Sequence, residues 1–292
     1  MVERRRHLLE GSGGACLVVE DAGPRDGEVL FAHGGTPGTG SLYEPNLEAG
    51  AARGIRHVTY ARPGYGASDR QPGRTIADCA GDVAAIADQL GIERFYVGGQ
   101  SGGGPHALAC AAQLGERVCA AAAVASFAPR RAEDLEWLAG MATLARDEFA
   151  AAEADERQLQ AFLERLAPSL TGMSGEPPNE ALGDLLGPVD RALLVDDYAR
   201  HGTTSMRASL EHGIWGWFDD DLALVDDWGF DLASIRVPVT IWHGDDDRMV
   251  PFAHGRWLAE HVPGASARLL PGEGHLSIEL NLYGQVLDDL LG

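Results

Sequence analysis

The sequence predicts an α/β fold, a mostly parallel sheet flanked by helices with an inserted helical cap, and three observations carry that prediction. Short apolar, β-branched runs alternate with helical stretches as far as Ala125. The alternation then stops and resumes only at Val239. Between Pro129 and Ile235 the pattern is helical and acidic. Strands that are apolar on both faces and separated by helices imply a parallel sheet covered on both sides.

In chain order, residues 16–19, 29–33, 57–60, 95–98 and 120–125 read as strands, and 46–53, 76–90 and 105–114 as the helices between them. The most apolar run, 118–128, is too short to span a bilayer and reads as a buried strand. Residues 239–242 and 267–270 complete the strand set, each followed by a helix-like segment. A Pro/Gly-rich break at 172–178 reads as a flexible turn inside the insertion. The division is therefore a core of 1–128 and 236–292 with a helical cap at 129–235.

A chain of 292 residues can bury a sizeable core. Its formal net charge of -21 argues against nucleic acid, because phosphate binding needs clustered cations on one face. All 23 basic residues are arginine, a bias with no evident chemical meaning. Cys16, Cys79, Cys110 and Cys119 include no C-x-x-C pair, so neither a disulfide nor a zinc site is expected. The charged N-terminus is not followed by the apolar stretch of a secretory signal, which points to a cytoplasmic protein with no membrane partner.

The chemistry concentrates at Gly99-Gln100-Ser101-Gly102-Gly103, where a strand runs into a helix. This is G-x-S-x-G, the nucleophile elbow: the sharp turn strains the serine, small neighbours avoid clashes, and the helix N-terminus favours developing negative charge. The same letters also fit a dinucleotide fingerprint, Gly102-x-Gly104-x-x-Ala107. That rival needs an acid at the end of the next strand, where this chain has Val124-Ala125-Ser126-Phe127. A nucleophilic serine needs a base oriented by an acid. Asp245, Asp246 and Asp247 follow one late strand and His275 follows the next, so their loops meet the elbow at the carboxyl ends of the strands.

Together these segments resemble the α/β-hydrolase superfamily. His243-Gly244-x-x-Asp247-x-x-Val250-Pro251 is similar to its acid loop, and Gly272-x-Gly274-His275 to its histidine turn. The resemblance implies Ser101 as nucleophile, His275 as base and Asp247 as acid, with Asp245 the next candidate. His33-Gly34-Gly35-Thr36-Pro37 looks like the family's oxyanion loop with one residue inserted before the proline. That implies an oxyanion hole from the N–H groups of Gly35 and Gly102, with Thr36 able to replace Gly35. Arg62-Pro63-Gly64-Tyr65-Gly66-Ala67-Ser68 resembles a loop that serves as scaffold.

The expected activity is serine-dependent hydrolysis of a small to medium hydrophobic carboxylic ester through an acyl-enzyme, with no metal or organic cofactor. Trp215, Trp217 and Phe218, in the segment leading back to the sheet, are candidates for the substrate pocket. Two other readings remain. One is an aminopeptidase resembling proline iminopeptidases, whose acidic cap would hold a substrate ammonium; the other is a non-catalytic ligand-binding protein of the same fold. The expected partner is a small molecule, with a homo-oligomer left open.

Overall fold

The computed structural model describes residues 2–172 and 182–292. Most of the Pro/Gly-rich break expected at 172–178 therefore lies outside the described residues. Eight strands form one sheet: β1 (Arg4–Glu10), β2 (Cys16–Ala22), β3 (Glu28–His33), β4 (Ile55–Tyr60), β5 (Phe95–Gln100), β6 (Val118–Val124), β7 (Val239–Gly244) and β8 (Ser266–Leu270). Their order is β1-β2-β4-β3-β5-β6-β7-β8. β1 pairs antiparallel with β2 and β2 with β4, while every pair from β4 to β8 is parallel.

β1 is a strand that the apolar pattern did not reveal. Its residues alternate between exposed and half-buried, so it lacks the two-sided apolar signature of the central strands. Three arginines on this edge discourage further strand pairing.

Between the strands run α1 (Glu44–Ala51), α2 (Asp78–Gln89) and α3 (Gly103–Gln113). Asp78 closes the start of α2 by accepting the N–H and hydroxyl of Thr75, at 2.7 and 3.1 Å. Between β6 and β7 the described chain holds α4 (Thr143–Ala154), α5 (Glu156–Leu170), α6 (Pro188–Leu193), α7 (Asp196–Ser209) and α8 (Trp215–Val225). Asp155 caps α5 through the N–H groups of Arg157 and Gln158. The chain ends with α9 (Phe252–His261), α10 (Ser277–Asn281) and α11 (Tyr283–Leu291).

One sheet face is sealed by Val83, Ile86, Leu108 and Leu258, the other by Val286, Leu287 and Leu290 of α11. A third cluster joins Leu159, Leu163 and Trp217 of the inserted helices to Tyr65 of the core. Fully burying one such side chain stabilises by about 1.5–3 kcal/mol, and this cluster packs the helices between β6 and β7 on the loop that follows β4. Among the described residues no helix is long and apolar enough to cross a membrane.

Candidate active site

β5 ends at Gln100 and α3 begins at Gly103, leaving Ser101 and Gly102 to make the turn. Ser101 sits in the left-handed region at φ 54, which costs a residue with a Cβ about 1–2 kcal/mol. The surrounding backbone enforces it. A Cβ on Gly99 would lie 2.1 Å from the Gly103 carbonyl oxygen, and one on Gly103 would lie 2.2 Å from that of His33. Ser101 N–H donates to Val124 O at 2.9 Å, which ties the turn to β6. The Ser101 carbonyl accepts from Gly104 N–H at 3.0 Å. In a trans peptide the N–H points opposite the carbonyl, so the Gly102 N–H is directed out of the helix.

The loops after β7 and β8 bring Asp247 and His275 together. His275 Nδ1 lies 2.8 Å from Asp247 Oδ2, and both side chains are buried. Asp247 Oδ1 accepts the N–H groups of Met249 and Val250, each at 2.9 Å, so its carboxylate is fixed in orientation. The neighbouring aspartates do other work. Asp245 accepts the Gly272 N–H at 2.7 Å, and Asp246 faces Arg248 at 3.7 Å. Burial depresses the His275 pKa, but the Asp247 carboxylate outweighs it, with Asp190 and Glu279 adding to the effect, and the net shift is upward. His243 Nε2 donates to Val250 O at 2.8 Å, and burial keeps that imidazole neutral. Among the described residues no hydrogen bond joins Ser101 to His275. The elbow and the histidine loop are joined through Gln100, whose Nε2 donates to His275 O at 3.2 Å.

The loop after β3 lies against the elbow. A Cβ on Gly35 would be 3.3 Å from Ser101 Cβ, and one on Gly102 would be 3.4 Å from Thr36 N. Arg62 is buried and donates to Gly34 O at 2.8 Å, Gly35 O at 3.1 Å and Thr36 Oγ1 at 3.1 Å. With those carbonyls turned toward Arg62, the N–H groups of Gly35 and Thr36 point away from it. Asp220 anchors this arrangement. It takes Arg62 and Arg74 at 2.6 Å each, the Tyr65 hydroxyl at 2.8 Å and the Thr36 hydroxyl at 2.7 Å. Its carboxyl is strongly depressed: burial alone would raise it, but the two arginines prevail.

A cavity of about 130 Å³ opens beside Ser101, walled by Phe127, Leu144, Leu166, Met206 and Trp217 among others. Of the three aromatics expected there, Trp217 lines it. Trp215 instead lies under the Arg70 guanidinium, 4.2 Å from ring centre to carbon, and borders a separate surface groove. Phe218 is buried in the packing between inserted helices and core. Both are thus structural neighbours of the Ser101 cavity without lining it, because a helix exposes only every third or fourth side chain to one partner.

Several residues were invisible to motif reading. Asp190 of α6 is fully buried and accepts the N–H groups of His275 at 2.7 Å, Leu276 at 2.9 Å and Ser277 at 3.0 Å. A Cβ on Gly274 would strike its carboxylate at 2.5 Å, which explains glycine before the histidine. Glu148 and Asp221 also line the cavity. The sequence signal for Asp221 was the acidic run Asp219-Asp220-Asp221 in α8, and Glu148 had none.

A strained serine at a strand-to-helix elbow, a buried Asp–His pair on loops tied to that elbow through Gln100 and a mostly parallel covered sheet are the architecture of an α/β hydrolase. The chain belongs to the α/β hydrolase fold family, whose profile matches residues 28–282. It is 28% identical over 283 residues to a non-heme chloroperoxidase of Streptomyces lividans, covering 96% of each chain. It is 27% identical over 270 residues to a bifunctional esterase/perhydrolase of Acinetobacter calcoaceticus, covering 90% of each. The fold is shared with a hydrolase from Pseudomonas aeruginosa at a TM-score of 0.72 and 22% identity, over 99% of this chain and 98% of that one.

Proposed function

We propose that the protein is a serine hydrolase that cleaves a small, largely apolar carboxylic ester through an acyl-enzyme. The observation that carries this reading is the 2.8 Å contact between Asp247 Oδ2 and His275 Nδ1, on a loop tied through Gln100 to the elbow where Ser101 is held at φ 54. Asp247 selects the tautomer whose Nε2 is free to act as base, and it stabilises the imidazolium that forms. Ser101 Oγ attacks the ester carbonyl as His275 takes its proton. The resulting oxyanion is held by the N–H of Gly102 and by those of the Gly35-Thr36 loop, where each donor lost costs about 3–4 kcal/mol of barrier stabilisation. His275 returns the proton to the departing alkoxide. Water, activated by the same imidazole, then releases the acid.

The mainly apolar cavity wall favours a hydrocarbon acyl group, and the cavity's roughly 130 Å³ limits its size. Sites for drug-sized ligands run to about 300–1,000 Å³, so a short chain is favoured over a long one. The esterase activity named for the Acinetobacter relative is consistent with this chemistry. Steady-state kinetics on p-nitrophenyl acetate, butyrate and octanoate test it. We expect kcat/KM to peak at the short esters and to fall at least about tenfold at octanoate, the surplus methylenes exceeding the volume of the cavity. No turnover of any ester by protein that binds the short acids would show a ligand-binding protein instead.

A further inference from the structure

The loop after β3 that carries Gly35 and Thr36 can take its path only with glycine at its bend. A Cβ on Gly34 would come within 2.9 Å of Gly40 Cα. Glycine leaves the backbone torsions least restricted, so the peptide planes of Gly34-Gly35-Thr36 need an outside restraint to keep their N–H groups in one direction. Arg62 supplies it by donating to the carbonyls of Gly34 and Gly35 and to the Thr36 hydroxyl. Arg62 is itself held from the inserted helices. Asp220 of α8 accepts its Nη2 at 2.6 Å and its Nε at 3.2 Å, and also takes the Thr36 hydroxyl at 2.7 Å. Both Arg62 and Asp220 are buried, and Arg74 and the Tyr65 hydroxyl occupy the rest of the carboxylate.

Holding the insertion in place does not require this network. The cluster around Trp217 and Tyr65 already packs the inserted helices on the core, and a buried ion pair adds little net stability over apolar side chains of similar volume. What the pair adds is orientation. One guanidinium on both carbonyls also polarises the two peptide units, which makes their N–H groups better donors to an oxyanion. Resting on the hydrolase reading above, we infer that Asp220 and Arg62 are positioning residues for the oxyanion hole, so that a helix of the insertion sets the donors as well as walling the substrate cavity. The adjacent Asp219 provides the contrast. It is also buried, yet it pairs with Arg70 at 2.8 Å and, among the described residues, makes no hydrogen bond to the loop after β3.

The test measures p-nitrophenyl butyrate turnover by the wild-type protein and by Asp220→Asn, Arg62→Lys and Asp219→Asn, each rate divided by the sites that fluorophosphonate titrates. For Asp220→Asn and Arg62→Lys we expect kcat about 100-fold lower with KM within about threefold of wild type, the pattern of an interaction made only in the transition state. The acid limb of the pH profile should stay in place, since Asp247 and His275 are untouched. A short-chain trifluoromethyl ketone, to which Ser101 Oγ adds to give a hemiketal oxyanion, should bind about 100-fold more weakly in the same two variants. Asp219→Asn is expected to keep kcat and inhibitor affinity within about threefold of wild type. Thr36→Val, which leaves every ion pair in place, should lower kcat about tenfold with KM unchanged, and it decides the matter where the charged variants do not fold. Unchanged kcat per titrated site in the variants that fold, or an equal loss in Asp219→Asn, overturns the positioning role and leaves a structural ion pair beside a working hydrolase. A wild-type protein with no turnover and no adduct at Ser101 removes the hydrolase reading and this role with it.

Discussion

A carboxylate that orients a catalytic imidazole must accept its Nδ1 proton and remain ionised while the imidazolium forms. Of the three adjacent aspartates, Asp247 alone meets His275, at 2.8 Å, while Asp245 closes the Gly272 turn. Asp247→Asn is therefore expected to lower kcat by about 10⁴-fold, with Asp245→Asn changing it far less. An equal loss in both variants would mean that the two loops act as one structural unit. The raised pKa of His275 has a further consequence. The base works only when neutral, so the acid limb of kcat/KM should lie above the ordinary imidazole value and move down in Asp247→Asn. Ser101, the proposed nucleophile, also carries strain. Ser101→Gly should abolish turnover yet stabilise the fold by about 1 kcal/mol, because glycine adopts φ 54 without penalty. A melting temperature below that of Ser101→Ala would contradict the strain.

At the scale of elements, α6 reaches from the insertion to the histidine loop through Asp190, which accepts three consecutive N–H groups at residues 275–277. An amide at that position offers a single acceptor oxygen, so Asp190→Asn leaves donors unmatched. We expect kcat to fall about 100-fold through a misplaced imidazole, with fluorophosphonate still able to reach Ser101. Unchanged kcat would show that α10 alone holds the loop. This contact also shows what sequence reading reaches. The strand-turn-helix around Ser101 and the order of the acid and histidine loops were legible because local backbone geometry dictates the residue types there. Asp190 was not, since nothing nearby in sequence distinguishes an acid that caps a distant loop from one that faces solvent. β1 escaped for a different reason: its Arg4-Arg5-Arg6-His7 start has no buried face to create an apolar period. Trp215 and Trp217 look equivalent in the sequence, and only the rotation of α8 separates a cavity wall from an Arg70 platform.

For the whole molecule, a net charge of -21 does not mean that every acid is solvated, since Asp190, Asp219, Asp220, Asp221 and Asp247 are all buried. Opposing pKa shifts of other buried groups set how stability depends on pH. Glu148 and Glu279 are both raised to about 7 by burial, so the folded chain binds protons that the unfolded chain does not as pH falls from about 8 toward 6.5. That stabilises the fold over this window. Below it the gain levels off: Glu148 and Glu279 go on adding stability down to the ordinary carboxyl value, while burial holds His57 and His254 down to about 4 and unfolded histidines take protons at about 6.5, so the two effects oppose each other. Asp21 opposes the burial that would raise it through Arg56 and Arg5 and sits at about 2, so its contribution is lost only as pH falls below about 4. Thermal melts should therefore rise as pH falls from about 8 to about 6.5 and change little from there to about 4.5; a monotonic rise toward alkaline pH would contradict these shifts. The central claim is that Ser101 is a nucleophile activated by the Asp247–His275 pair. Mass spectrometry of fluorophosphonate-treated protein tests it most directly. A single adduct on the peptide containing Ser101, absent in Ser101→Ala and formed far more slowly in His275→Ala, is the predicted result. An adduct on another residue, or one formed at the same rate without His275, would contradict it.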